Sequence, residues 1–275
     1  MGQEQVTRKQ HLISKVLLRQ FATVDDELMS YDLRYGKASP RHPSRVGWIR
    51  DFVAEQSVEL ESLWNTSEDA AGNASAAAVA GNVFDNPDDV LTLKNLIALH
   101  FMRNTRVKAL WNVGFQTSLL NVSAPPHFPG NRDVLEAVVR HQTAKRGATW
   151  FAEQQRESFE KSARLVATAG LEVVVSSDAP VLVGDRSVIS AYKTPDGYRF
   201  EYVPFSNAST HILPIGPRHL VALSKEDKYI YPEADWIDRL NQHQIFQAHS
   251  HVFFSPTDTE LEERVSAIRA KATGS

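Results

Sequence analysis

Gly170 divides the chain into two kinds of pattern. Before it, apolar residues recur mostly at helical spacing. After it come short β-branched runs, LEVVVSS, PVLVG, SVISAY, YRFEYVPF, THILPIG and HLVALS, separated by Asp, Pro, Gly and Asn turn chemistry. Helices gathered first and strands second favour an α+β protein over alternating βαβ units. The expected architecture is a helical N-terminal part, about residues 8–170, packed on a C-terminal antiparallel β-sheet over about 171–256. A closing helix follows over about 258–272. No long linker interrupts the chain near Gly170, so 1–275 reads as one α+β domain, with two packed subdomains as the alternative.

Within the helical part, Ile13, Val16, Leu17 and Phe21 make an amphipathic stripe that opens just after His11. Glu27 to Arg34 alternates apolar and polar residues and reads as a strand leaving into the Gly36 and Pro40/Pro43 turns. An Ala-rich helical stretch spans Val58 to Val79 and stops at Gly81, with Gly72 a weak point inside it. Asp88 or Asp89 can cap a long helix running to about Leu120, and Pro125, Pro126, Pro129 and Gly130 break it. Another long helix fits Asp133 to Ala169, with Gly147 a place of interruption and Gly170 a stop. Past the sheet, a helix fits Asp235 to His249, a strand His251 to Ser255 and a charged helix Asp258 to Lys271.

Several function classes drop out on composition. There are no cysteines, which removes disulfide-linked partners, thiolate nucleophiles, zinc ribbons and iron–sulfur clusters, and leaves His, Asp or Glu to hold any metal. No stretch approaches the roughly 20 apolar residues of a membrane span, and Met1 to Gln10 is polar, so no membrane partner and a cytoplasmic location are expected. A net charge of -3 supplies no chain-wide field for nucleic acid, although a local basic groove could still bind it. Gly-x-Gly-x-x-Gly, the phosphate loop, His-Glu-x-x-His and Gly-x-Ser-x-Gly are all absent.

The candidate chemistry lies in a few polar residues set in apolar patterns. Glu61 and Glu68 are seven apart, about 20° in azimuth on one helical face. His100 and Arg103 interrupt the apolar stripe of Leu93, Leu96, Val107 and Trp111. A buried guanidinium is costly unless paired, so Arg103 calls for a carboxylate, with Glu61 or Glu68 available. His100 reads first as a satisfied core histidine. Ser177 and Asp178 stand at the exit from an apolar strand, where Ser-Asp-x-Pro is also ordinary turn chemistry. His249 and His251 alternate on a strand, with no third ligand nearby to complete a metal site.

The order of these segments resembles the family catalogued as domain of unknown function 4238. The resemblance rests on Gln10-His11-Leu12-Ile13-Ser14 through Phe21, the glutamates Glu61 and Glu68, and His100 through Thr105. Ser177-Asp178-Ala179-Pro180, Pro214 to Pro217, and Asn241 with Ala248 extend it over roughly residues 8–256. Leu12 and Ser14 stand where the family has Tyr and Pro, and His100 stands where it has Gln. The resemblance implies a shared polar cluster of His11, Glu61, Glu68, Arg103 and Asp178, and no known reaction.

The expected function is a hydrolytic, phosphodiester-cleaving or nuclease-like pocket between helices and sheet. In it His11 is general acid or base, and Glu61, Glu68 and Asp178 are bases or ligands to a divalent metal. Arg103 clamps an anionic oxygen. The alternative is a non-catalytic binding or regulatory module in which Arg103, the glutamates and Asp178 form a structural salt-bridge network.

Overall fold

A computed structural model describes residues 9–50, 52–53, 58–123, 132–194, 197–201 and 204–273. In chain order its elements are β1 (Lys9–His11), α1 (Lys15–Gln20), β2 (Leu28–Asp32), β3 (Lys37–Arg41), β4 (Trp48–Arg50), α2 (Val58–Asp69), α3 (Ala71–Ala80), α4 (Pro87–Met102), α5 (Thr105–Ser123) and α6 (Arg132–Ala167). There follow β5 (Gly170–Val175), β6 (Val183–Gly184), β7 (Ile189–Thr194), β8 (Gly197–Phe200), β9 (Thr210–Gly216), β10 (His219–Ser224), β11 (Lys228–Ile230), α7 (Ala234–Gln247), β12 (His251–Phe254) and α8 (Glu260–Thr273). The fold is α+β.

The helix boundaries follow local chemistry. The stretch expected from Val58 to Val79 is two helices, α2 and α3, parted at Ala70; α3 ends on Gly81, whose φ of 82° is a left-handed cap that side chains resist. The helix expected to be capped by Asp88 or Asp89 is capped by Asn86, two residues before Asp88. Pro87 occupies its first turn, where its missing N–H costs nothing, and the Asn86 side chain accepts from the Asp88 N–H at 3.1 Å. That helix does not continue to Leu120. It stops at Arg103, and the Asn104 side chain accepts from the Arg106 N–H at 2.8 Å to start α5. By contrast α6 runs through Gly147 without a break. The expected break at Pro125 to Gly130 lies outside the described residues.

Pairing across the chain departs from a helical half and a sheet half. A six-stranded sheet has the order β11-β5-β10-β9-β7-β8, antiparallel except that β11 pairs with β5 in parallel. A four-stranded sheet, β3-β2-β12-β6, draws two strands from the N-terminal part, and β1 pairs with β4 as a separate ribbon. The long sheet is covered on both faces. Leu171, Val173, Leu213, Val221 and Leu223 join the main core with α1, α3 and α4, while Val174, Ile212, Leu220 and Ala222 pack on Ile237 and Leu240 of α7. This explains why these strands read as continuous apolar runs and do not alternate. Each such buried side chain contributes about 1.5–3 kcal/mol.

Gly170 opens β5 and is not a helix cap. A Cβ there would fall 2.5 Å from the Glu226 carbonyl carbon and 2.7 Å from its Cα, backbone atoms that cannot step aside. Gly170→Ala is expected to lose about 1–3 kcal/mol by overpacking. A urea melt checks this, and an unchanged midpoint would show that the Glu226 turn yields.

Candidate functional site

β1, the start of α1, α2 and the end of α4 meet around a cleft of about 210 Å³ lined by Lys9, Gln10, His11, Lys15, Trp64, Asn65, Glu68 and Arg103. The segment Gln10 to Ser14, expected to lead straight into a helix, first forms β1, where Gln10 faces Ile49 and His11 faces Trp48. The Gln10 amide bonds both ways to Val53, accepting from its N–H at 2.6 Å and donating to its carbonyl at 3.3 Å. His11 is thereby held at the cleft by backbone pairing, and α1 begins only after Ser14.

On α2, Trp64 and Glu68 are one turn apart and share a face. Arg103 meets both. Its guanidinium donates to the Glu68 carboxylate and lies over the Trp64 ring, 4.3 Å from the centroid. The carboxylate that Arg103 required is therefore Glu68. Burial alone pushes the Glu68 carboxyl up, but Arg103, His100 and the Ser14 hydroxyl outweigh it and hold it below its usual value. Glu68 is thus an anion committed to internal donors.

His100 is a satisfied core histidine, 1% exposed. Its Nδ1–H donates to the Leu96 carbonyl at 2.9 Å, and its Nε2 accepts from the Ser14 N–H at 3.0 Å, with the Ser14 Oγ at 2.9 Å. Two of the three positions at which the chain departs from its resemblance, Ser14 and His100, touch. A proline at 14 would have no N–H to satisfy, whereas Ser14 buries one and His100 receives it.

His11 differs from His100. Its Nε2 is buried and makes no hydrogen bond among the described residues. Burial, with Lys15 adding its charge, lowers its pKa to about 4, against an opposing pull from Glu68. At neutral pH the ring is therefore an uncharged base. Trp64 Nε1, in the same cleft, is likewise buried without a hydrogen bond to the described residues. Lys15 is exposed and has no ion-pair partner among the described residues.

Asp178 does not join this group. It is exposed on the turn after β5, which Ser176 closes by donating to the Ala179 carbonyl at 2.5 Å and through its N–H to the Arg218 carbonyl at 2.8 Å. The turn is anchored on the β9–β10 connection, where the Val181 N–H bonds Pro217, and not on the ribbon. Glu61 lies on α2, but its side chain is outside the described residues. Of the expected five residues, the described side chains bring together His11, Glu68 and Arg103 and leave out Asp178, and the unforeseen members of the group are Ser14, Lys15 and Trp64. Only Trp64 left a legible signal, its one-turn spacing from Glu68.

A family model described as a protein of unknown function, DUF4238, matches residues 9–258. The chain belongs to this family. The DUF4238 match begins at β1 and so includes the whole cleft and both sheets. No curated protein and no solved structure matches the chain. Among the described residues no three His, Asp or Glu side chains converge as metal ligands, His249 and His251 included. No described helix is long and apolar enough to cross a membrane.

Proposed function

We propose that the His11 cleft is a hydrolytic site for phosphodiesters. The observation that carries this reading is the uncharged, unbonded His11 Nε2 in one cleft with the cations Lys9, Lys15 and Arg103. A neutral imidazole can take a proton from a water as its oxygen bonds to phosphorus and return that proton to the leaving oxygen as its P–O bond breaks, while nearby cations stabilise the charge that gathers on the phosphate oxygens. Glu68 acts as a positioning residue, orienting Arg103 through their ion pair. None of these steps calls on a cofactor. A metal-assisted form would use carboxylates as ligands to a divalent metal.

The alternative of a non-catalytic module is favoured by one observation: Glu68, Arg103, Ser14 and His100 bond one another as a set that ties the start of α1, α2 and α4 together.

The test is cleavage of bis(p-nitrophenyl) phosphate and of short RNA by the wild type and by His11→Ala, with and without a chelator. His11→Ala is expected to lose about 10²–10⁴-fold in rate. Because His11 must be unprotonated to act, kcat/KM is expected to fall on the acid side with a midpoint at about 4 and to stay flat through neutrality. Equal rates in wild type and His11→Ala would leave the structural network as the better reading. Loss of rate with chelator would bring in the metal-assisted form.

A further inference from the structure

A second cleft, of about 530 Å³, opens on the four-stranded sheet. Strand register builds its floor. In β2, Ser30 and Asp32 share one face; Ser30 stands opposite Ser39 of β3 and Phe253 of β12, and Asp32 opposite His251. The alternate residues Tyr31, Val252 and Phe254 turn to the other face and pack on Leu261 and Val265 of α8. Further walls come from Leu12, from Arg45 and from the stretch Val46 to Ile49 of the ribbon. One sheet thus has an apolar face that is covered and a polar face that is open.

The charges on this face do not cancel at the rim. Asp32 is held down at about 2 chiefly by hydrogen bonds from Arg34, whose Nε and Nη2 reach its two oxygens at 3.2 and 2.9 Å. The buried Asp185 carboxylate accepts from the N–H groups of His249, Ser250 and His251 at 2.5, 2.8 and 3.0 Å, and from the Ser250 hydroxyl at 2.8 Å. The His251 ring is occupied as well, between the Ser250 Oγ at 2.8 Å and Asp32 at 3.3 Å. Both carboxylates are therefore supplied from within. Arg41 and Arg45, by contrast, are exposed at the cleft and have no ion-pair partner among the described residues.

We propose that this cleft binds a phosphorylated small molecule of nucleotide size, with Arg41 and Arg45 on its phosphate. Two guanidinium forks match the charge and the multiple oxygens of a phosphate monoester. Trp48 and Ile49, both partly exposed, supply apolar surface for the organic part, and the volume falls within the roughly 300–1,000 Å³ of small-molecule sites. The site is separate from the His11 cleft: β1 lines one and β4, its partner strand, lines the other.

The experiment is calorimetric titration of the full chain with adenosine monophosphate, adenosine, inorganic phosphate and succinate. Saturable binding of the monophosphate is expected, with weaker saturable binding of phosphate, and with adenosine and succinate at least about tenfold weaker than the monophosphate. The double variant Arg41→Ala/Arg45→Ala is expected to weaken the monophosphate by about 100-fold, roughly tenfold for each guanidinium removed from the phosphate. Arg41→Lys/Arg45→Lys, which keeps the charge and loses the fork, falls between. Both positions are exposed, and an unchanged melting temperature confirms the fold. Lys225→Ala, on the exposed turn after β10 and in neither cleft, is expected to bind as the wild type does. The proposal is overturned by no saturable binding of phosphate or monophosphate, by equal affinity for succinate, by undiminished binding in the double alanine variant, or by an equal loss in Lys225→Ala.

Discussion

Glu68→Ala is expected to lower the unfolding free energy by about 3–5 kcal/mol, because it takes the Glu68 counter-charge away from a buried guanidinium. The Arg103 side chain is 5% exposed, so water cannot take over the role of the carboxylate, and the Ser14 hydroxyl loses one of its two partners in the same step and keeps His100. The loss is a large share of the roughly 5–15 kcal/mol that holds a typical domain folded. Chemical denaturation of the two single variants and of Glu68→Ala/Arg103→Met measures it. The double variant is expected to recover most of the loss, since it removes the buried cation along with the anion and leaves an apolar chain against Trp64. Additive losses would mean that the two residues act independently, contrary to the ion pair.

Acid is expected to destabilise the protein in a defined window. Two buried histidines, His100 and His211, have folded-state pKa values of about 4, against 6.5 for an unperturbed ring. Burial is the main cause for both, and Arg103 adds to it at His100 against an opposing effect of Glu68. His211 donates from Nε2 to the Phe205 carbonyl at 2.8 Å, accepts at Nδ1 from the Ser190 hydroxyl at 3.0 Å, and stacks on the Phe205 ring. At His100 a second ring proton would meet the Ser14 N–H, which already occupies Nε2.

Between pH 4 and 6.5 the unfolded chain binds protons that the folded chain refuses, so stability rises with pH across that interval. The contribution is complete above pH 6.5 and is lost as pH falls toward 4, on the order of 3 kcal/mol for each ring. Urea melts at several pH values read the slope. In His100→Gln, which keeps a side-chain acceptor for the Ser14 N–H and cannot titrate, the slope is expected to flatten. A slope in His100→Gln equal to that of the wild type would remove His100 from the account.

The local parts of this fold were legible because their causes are local. Periodicity located α6, the strands from β5 to β10 and the closing elements α7, β12 and α8, and alternation in Glu27 to Arg34 marked β2. The burial argument that demanded a carboxylate for Arg103 also held, because the cost of an unpaired guanidinium does not depend on topology. Even the helix breaks had local causes that outrank periodicity: Pro87 moved a cap to Asn86, and Asn104 restarted the chain after Arg103.

What the sequence by itself determined is thus the kind of element at most positions and the need of particular buried groups for partners. Tertiary structure alone decided which partner each need found. Glu68 meets Arg103 across 35 positions, the Ser14 N–H meets His100 across 86, and β12 joins β2 to bring the two ends of the chain into one sheet. It also left Asp178 on a distant turn and set Ser30, Asp32 and His251 on one open face. Strand register and helix placement minimise exposed apolar surface over the whole molecule, and that sum runs over residues far apart in the chain. No window of sequence contains it.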